Sequence, residues 1–232
     1  MKDKNIIWLY VFLAATIADL TFLISGDGEY RFFSKPLIIL GLIIYFYQVT
    51  RSITSTLLTK SMLAALIFSW IGDILLMWDK LFVFGLGFFL MAHVCYIIAF
   101  RLAQNAPIRI GKVNFIRSFF YNLPIYLAAS ITFYLINPNL GSFKIPVIAY
   151  ILVIVGMVAT ARDRFQKSNP ASFWQVFIGA ILFFLSDGII AISRFYQSFP
   201  ESGVLIMGAY ATAQLLIVMG IRSYLVQGKK GG

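Results

Sequence analysis

The sequence has very little of what disulfides and histidine metal sites are made from. Its 232 residues include one cysteine, Cys95, and one histidine, His93. A disulfide within the chain needs two cysteines, so none can form, and the cysteine content does not constrain the redox compartment. A zinc site built on three histidines is excluded in the same way, whereas a site built on carboxylates is not.

Charged residues are also scarce, at 12% of the chain, while hydrophobic residues make up 60% and the mean hydropathy is +0.87. These values lie far outside the range of soluble globular chains and predict an integral membrane protein. The net charge of +10 could suggest a nucleic-acid partner. However, the basic residues are spread among connections and termini instead of forming a patch, so we expect a lipid bilayer and no nucleic acid.

Apolar runs of the length needed to cross a ~30 Å hydrocarbon core recur along the chain. We expect an all-α bundle of eight transmembrane helices, as one domain over residues 1–224 with a polar tail at 225–232. The first run is too long for the core of a signal peptide and is expected to be a retained helix. The expected spans are roughly 6–24, 36–50, 61–78, 82–100, 119–136, 146–161, 173–192 and 204–221.

The distribution of basic residues predicts the orientation. If the first helix leaves the cytoplasm, 14 of the 19 Lys and Arg residues lie on the cytoplasmic side, and the positive-inside rule places both termini there. In a bacterium the expected location is the cell (inner) membrane. The 14 residues are Lys2, Lys4, Arg51, Lys60, Arg101, Arg109, Lys112, Arg117, Arg162, Arg164, Lys167, Arg222, Lys229 and Lys230. The other five are Arg31, Lys35, Lys80, Lys144 and Arg194.

Proline is infrequent, with seven residues that the pattern places at or near helix ends. Pro36 and Pro146 are expected to open helices, Pro124 to fall early in the fifth helix, and the others to lie in connections. Many carriers bind their substrate where helices are broken near the membrane midplane. No such proline break is expected here, which weakens the alternative of a proton-coupled membrane transporter.

Three aspartates stand inside the apolar runs, each after a small residue, in "ADLTFL", "GDILLM" and "SDGIIA". Asp19, Asp73 and Asp187 fall in helices that run in the same direction, each about five residues before the expected helix end. At 1.5 Å per residue this predicts one common depth, roughly 7 Å below the membrane boundary. A carboxylate in hydrocarbon costs at least ~2.5 kcal/mol, so such residues usually face the bundle interior and often mark function.

No Lys or Arg within the membrane is expected to pair with these aspartates. A lone aspartate could simply hydrogen-bond to a neighbouring helix. Three at one depth favour a site in which a carboxylic acid lies beside a carboxylate, as proton-transfer catalysis requires. This interpretation is stronger for Asp73 and Asp187 than for Asp19.

Other polar residues share helix faces. His93 and Tyr96 are three residues apart, and Tyr210 and Gln214 are four apart, so each pair lies on one face. Either pair could hydrogen-bond between helices instead of serving a reaction. Lys35 is expected at the start of the second helix, with a proline at N1, where its charge could snorkel to the surface or meet a lipid phosphate.

With these residues, the chain resembles the YhhN family of multi-span membrane proteins, to which the lysoplasmalogenases belong. The matching stretches occur in the family's order across nearly the whole chain: "KPL", "GDILLM", "GLGFFLMAHVCY", "FFLSDGIIAISRF" and "YATAQ". Asp19 lies outside them. The positions that match the family's polar residues and their neighbours are Lys35, Pro36, Gly72, Asp73, His93, Tyr96, Ser186, Asp187, Tyr210 and Gln214.

The resemblance implies a hydrolase that cleaves the vinyl ether of a lysoplasmalogen, a single-chain ether phospholipid, to a fatty aldehyde and a glycerophospho-ethanolamine or -choline. Protonation of the enol carbon would give an oxocarbenium ion that a carboxylate can stabilise before water adds. We predict Asp73 and Asp187 as the catalytic carboxyl pair, with neither metal nor cofactor. A non-catalytic lipid-binding membrane protein is the other alternative. The expected supporting or substrate-binding residues are His93, Tyr96, Ser186, Lys35, Asp19, Tyr210 and Gln214.

Overall fold

The computed structural model describes residues 5–51, 56–105 and 115–228, without the side chains at 115, 117, 118 and 228. These ranges contain eight α-helices and no strand, and all eight are long and apolar enough to cross a membrane. The predicted class is thereby confirmed: the chain is a multi-pass integral membrane protein. The helices are α1 (Ile7–Ser25), α2 (Arg31–Thr50), α3 (Leu57–Leu75), α4 (Phe82–Leu102), α5 (Phe115–Ile136), α6 (Lys144–Arg162), α7 (Pro170–Phe195) and α8 (Ser202–Gly228). The predictions for Lys2, Lys4, Pro107, Arg109, Lys112, Lys229 and Lys230, and for the side chain of Arg117, lie outside the described residues.

Three predicted boundaries were wrong. A short 3-10 turn at Gly28–Tyr30 leads directly into α2 at Arg31, so Pro36 lies inside that helix and not at its first position. The helix α5 begins at Phe115, which places Pro124 in its interior. A proline there removes one helical hydrogen bond, which neighbouring helices can compensate in a membrane. At the other end of the chain, α8 continues to Gly228, past its expected end at 221, so residues 225–228 are helical.

The helices pack mainly as antiparallel pairs of sequence neighbours, α1 with α2, α3 with α4, and α7 with α8. The helix α8 also contacts α1 and α2, while α6 packs against α4 and α7. The helix α5 lies at the side of the bundle against α6 and α7. Short connections favour this arrangement because they keep consecutive helices adjacent and antiparallel.

Glycines allow the closest helix contacts. A Cβ atom at Gly72 of α3 would lie 2.7 Å from the ring of Phe89 in α4. A Cβ atom at Gly179 of α7 would lie 2.9 Å from the carbonyl oxygen of Ala213 in α8. Small residues at such positions let backbones approach, and in a membrane this packing is a main source of helix association.

A buried arginine, Arg164, lies in the connection between α6 and α7, at the end of the bundle where the even-numbered helices end. It links this connection to the residue that follows α4 and to the first turn of α7. Arg164 is fully buried and donates to the Ala103 carbonyl (3.1 Å), the Ser172 carbonyl (3.3 Å) and the Ser172 hydroxyl (2.6 Å). Burial lowers the pKa of its guanidinium to about 10, so it stays charged at neutral pH. This cation ties the beginning of α7 to the end of α4.

We expect Gly179→Ala to destabilise the protein by about 1–3 kcal/mol, because its methyl group would lie 2.8 Å from the Ile217 side chain and 2.9 Å from the Ala213 carbonyl oxygen, and the backbone of α8 cannot move aside as a flexible side chain can. Thermal unfolding of the detergent-purified protein measures the effect. The matched control is Gly208→Ala on α8, where an added Cβ has nothing within 4 Å. Equal stability of both variants would contradict the close packing of α7 against α8.

Candidate active site

The three aspartates lie toward one end of the bundle, the distal end, which we define as the end where the odd-numbered helices finish. They belong to three separate hydrogen-bonded groups, and no two of them hydrogen-bond to each other. Asp73 still feels the charges of both Asp19 and Asp187. The expected equal spacing is wrong for two of them: α3 ends at Leu75, just after Asp73, whereas α7 continues for two turns beyond Asp187 to Phe195.

Asp187 is held by a tyrosine and the chain's single histidine. The Tyr150 hydroxyl of α6 donates to Asp187 Oδ2 at 2.5 Å. His93 Nε2 of α4 lies 3.2 Å from the same oxygen and 2.9 Å from the Tyr150 hydroxyl. Among the described residues neither Asp187 Oδ1 nor the buried His93 Nδ1 has a hydrogen-bond partner. One carboxylate oxygen is thus held by two side chains, and the other makes no hydrogen bond within the described residues.

Asp73 starts a second group that crosses from α3 to α8 and on to α4. The Tyr210 hydroxyl donates to Asp73 Oδ2 at 2.6 Å, and Gln214 Nε2 donates to the Tyr210 hydroxyl at 3.3 Å. The Tyr96 hydroxyl donates to Gln214 Oε1 at 2.5 Å. Tyr210 and Gln214, which were predicted to share a helix face, therefore hydrogen-bond to each other. His93 and Tyr96, although neighbours on α4, belong to different groups.

One phenylalanine ring separates these two groups. Phe183 of α7 is fully buried and packs edge-on against His93, with ring centroids 4.8 Å apart. It packs in the same way against Tyr210, at 5.3 Å. Edge-to-face contacts of this kind fix ring orientations within a core. Phe183 therefore holds the side chains that hydrogen-bond to Asp187 and to Asp73 at a set separation.

Asp19 has a cationic partner, contrary to the prediction. Arg31 at the start of α2 approaches it with Nε at 3.2 Å and Nη2 at 3.3 Å, and the Ser34 hydroxyl donates to it at 2.9 Å. The Asp19 carboxylate is completely buried, so this pairing supplies the charge and hydrogen bonds that burial requires. It ties the end of α1 to the beginning of α2.

Two further predicted site residues lie near these groups. Ser186 is fully buried, and its hydroxyl donates to the Ile206 carbonyl at 3.0 Å, which links α7 to α8 beside Asp187. Lys35 extends from α2 near Asp73, and its charge acts on Asp73, Arg31 and Asp19. Within the described ranges, no three His, Cys, Asp or Glu side chains lie together as metal ligands.

An apolar pocket opens beside Asp187. It has a volume of about 70 Å³ and lies between α4, α5, α6 and α7. Its walls are almost entirely aliphatic and aromatic, for example Phe89, Ile154 and Phe184, and the ionisable groups in them are Asp187 and Tyr150. Such an apolar lining suits a short hydrocarbon segment of a ligand and not a polar group.

A charged cleft of about 330 Å³ adjoins this pocket at the distal end. Leu76, Phe82 and Ile190 line both spaces, so the two are neighbours that share a wall. The charged residues of the cleft come from α2, from the connection between α3 and α4, and from the end of α7. They are Arg31, Lys35, Asp79 and Arg194.

The comparisons with known proteins agree with this architecture. The profile of the YhhN family matches residues 30–221, which includes every residue of the groups around Asp73 and Asp187. The chain belongs to the YhhN family. A protein of Mycobacterium bovis named lysoplasmalogenase is 35% identical over 162 residues, covering 67% of this chain and 58% of that protein. No solved structure matches the chain at a significant level.

Mammalian relatives carry the same name. Lysoplasmalogenase TMEM86B of Homo sapiens is 33% identical over 162 residues, covering 69% of this chain and 63% of the human protein. The protein of that name from Mus musculus is 31% identical over 184 residues, covering 78% of this chain and 70% of its own length. The match thus spans about three fifths of the bacterial and human proteins.

Sequence reasoning missed Tyr150 and the pairing of Arg31. Tyr150 has the only polar side chain in the sequence between Ile145 and Gly156, and this isolation was a usable signal. Arg31 was assigned to a connection because α2 was expected to begin at residue 36. An earlier helix start turns Arg31 and Ser34 toward α1, which periodicity alone did not indicate.

Tyr150→Phe should remove a hydrogen bond to a partly buried carboxylate and destabilise the protein by about 1–3 kcal/mol. It should also change the ¹⁵N chemical shift of His93 Nε2, which is straightforward to assign because the chain has one histidine. Tyr96→Phe is the matched control, since Tyr96 bonds to Gln214 and not to His93. A His93 shift that responds only to Tyr96→Phe would refute the grouping of Tyr150 with His93.

Proposed function

We propose that this chain is a lysoplasmalogenase-like hydrolase that cleaves the vinyl ether bond of a lysoplasmalogen at the Asp187 end of the apolar pocket. The observation that carries the proposal is a carboxyl group with one free oxygen on the wall of a hydrocarbon-lined pocket. The family and the names of its relatives point to the same class of reaction. The products would be a fatty aldehyde and a glycerophospho-ethanolamine or -choline.

Asp187 is proposed as the carboxyl group that touches the substrate. Tyr150 and His93 both contact Oδ2, so Oδ1 is the oxygen that would face the vinyl ether. A carboxylic acid at this position transfers its proton to the enol carbon, which leaves an oxocarbenium ion beside the new carboxylate. Such an ion is stabilised by a negative charge held close to it, as in glycoside hydrolysis.

Water completes the reaction in this proposal. It adds to the carbon that bears the ether oxygen, gives up one proton to the carboxylate, and forms a hemiacetal. The hemiacetal collapses to the aldehyde and the free glycerol hydroxyl, so one water is consumed and the carboxylic acid is restored. Asp73 is proposed as the second carboxyl of the pair, because it is close enough for its charge to act on Asp187.

The supporting residues are proposed to hold these carboxyl groups in place. His93 orients Asp187, and Tyr210, Gln214 and Tyr96 orient Asp73 through the chain of hydrogen bonds described above. Ser186 fixes the local separation of α7 and α8. Asp19 is proposed to act through Arg31, as a positioning residue at the edge of the charged cleft.

We also propose the orientation that the positive charges predict, with both termini in the cytoplasm. The distal end and its cleft then face the outer side of the membrane. At that level the vinyl ether of a lysoplasmalogen, which adjoins the glycerol, lies a short distance below the headgroup. Asp187 lies two turns before the end of α7, which at 1.5 Å per residue is roughly 12 Å from that end.

The first experiment is to incubate the purified full-length chain with lysoplasmenyl-ethanolamine and to follow fatty aldehyde by mass spectrometry. We expect aldehyde and glycerophosphoethanolamine in equal amounts. A 1-acyl lysolipid with the same headgroup should remain intact, because an ester does not give an oxocarbenium ion on protonation at carbon. Full recovery of the vinyl ether lipid would contradict the proposal and favour a non-catalytic lipid-binding protein.

We expect Asp187→Asn and Asp73→Asn each to lower the rate of aldehyde release by about 10²-fold or more, the usual contribution of a general acid or base. Thermal unfolding and size-exclusion profiles of both variants establish that they are folded. Asp27→Asn is the matched control, since Asp27 is an exposed aspartate at the distal end that contacts Ser25. If folded variants at 187 and 73 keep the rate of the parent, the carboxyl pair is wrongly assigned.

A further inference from the structure

Among the described residues, the charged cleft is lined by three cations and one anion, Arg31, Lys35, Arg194 and Asp79. Arg31 and Lys35, four residues apart on one face of α2, form one wall. Trp78 and Asp79, from the connection between α3 and α4, form another. Asp79 is paired with Arg194 through one oxygen only, so the cleft presents both an anionic and a cationic group to a ligand.

Lys35 is the cation of this cleft that is available to an anion. Arg31 is paired with Asp19, and Arg194 with Asp79 through Nη1 and Oδ1 at 2.6 Å. The Lys35 ammonium has no hydrogen bond and no ion pair within 4.0 Å among the described residues, although it feels the charge of Asp73. A lysine ammonium has three donors and suits a phosphate group as a point charge.

A hydroxyl group in the same cleft also lacks a partner. Ser193, near the end of α7, contributes to the lining, and its Oγ is buried with no hydrogen-bond partner within the described ranges. Leaving a buried hydroxyl unsatisfied has a cost that a bound oxygen acceptor would remove. The lysine and the serine together therefore favour an anionic oxygen group in the cleft.

Asp79 and Trp78, from the connection between α3 and α4, also line the charged cleft. The Asp79 side chain is 85% exposed, and Arg194 contacts Oδ1 and leaves Oδ2 open. The Arg194 guanidinium lies 5.0 Å over the Phe82 ring, which holds it beside Asp79. Trp78 is 41% exposed, and its ring packs edge-on against Phe32. Trp78 and Asp79 both line the cleft, and an aromatic ring together with a carboxylate is a combination that binds ammonium groups.

We propose that the charged cleft recognises both charges of a zwitterionic phospholipid headgroup, with Lys35 and Ser193 at the phosphate and Asp79 and Trp78 at the amine. This inference rests on the proposed function and deepens it, because it assigns the residues that would discriminate between headgroups. Leu76, Phe82 and Ile190, shared with the apolar pocket, then surround the glycerol, and the single hydrocarbon chain extends toward Asp187.

The test uses lipids that cannot be hydrolysed, so that its outcome is independent of catalysis. Three lipids with the same saturated 1-O-alkyl chain carry different headgroups: glycerophosphoethanolamine, glycerophosphate without an amine, and glycerol without a phosphate. Binding to the detergent-purified full chain is measured by native mass spectrometry at a series of lipid concentrations. The parent protein should bind the zwitterionic lipid most tightly.

Lys35→Met should weaken binding of both phosphate lipids by about tenfold, since a charged hydrogen bond to phosphate is lost, and should leave the alkylglycerol unaffected. Asp79→Asn should weaken binding of the zwitterionic lipid alone, by several-fold. The matched controls are Lys80→Met and Glu201→Gln, which change exposed charges at the same end of the bundle outside the cleft.

Each alternative result would overturn the proposal. If Lys35→Met weakens all three lipids equally, or none, Lys35 does not bind the phosphate. If Asp79→Asn changes the two phosphate lipids equally, Asp79 does not bind the amine. If the control variants produce the same losses, the cleft acts only through its overall charge. Loss of aldehyde release with unchanged binding would count against the carboxyl pair and not against this headgroup site.

Discussion

A carboxylate that lies inside an apolar bundle must receive hydrogen bonds or an opposite charge from neighbouring helices, and the arrangement of this protein follows from that requirement. Asp19 takes its partners from α2, Asp73 from α8, and Asp187 from α4 and α6. Each partner lies on a helix that is distant in sequence or across a turn. The three aspartates therefore determine which helices adjoin at the distal end, in addition to any part that they have in chemistry.

The hydrogen-bonded groups around Asp73 and Asp187 differ in how far they are enclosed by the protein. Asp73 is nearly fully enclosed, and its partners continue through Gln214 to Tyr96 in the middle of the bundle. Asp187 keeps one oxygen unbound and reaches the wall of a cavity. An enclosed carboxyl beside an accessible one provides two environments for chemically identical groups, which is the usual way in which one site assigns them different tasks.

The fold class and the eight helices could be predicted because membrane burial acts on composition and on the length of apolar runs, whereas the roles of the candidate site residues stay a prediction. The depths of the three aspartates in the membrane were predicted less accurately than the helices. The assumption of equal spacing to the helix ends failed because α7 extends to Phe195 and α3 stops at Leu75. The partners of the aspartates also escaped prediction, since Tyr150 and Arg31 are brought in by packing between α4 and α6 and between α1 and α2. These contacts depend on helix rotation, which a weakly amphipathic sequence leaves undetermined.

The position of Phe183 has a consequence for the movement of protons. Its ring stands between His93 and Tyr210 and offers no O–H or N–H group through which a proton could be handed on. The groups around Asp187 and Asp73 are therefore insulated from each other even though their charges interact. A proton that passes from one carboxyl to the other needs a vehicle from outside the protein, such as a water or hydroxyl that enters with the ligand.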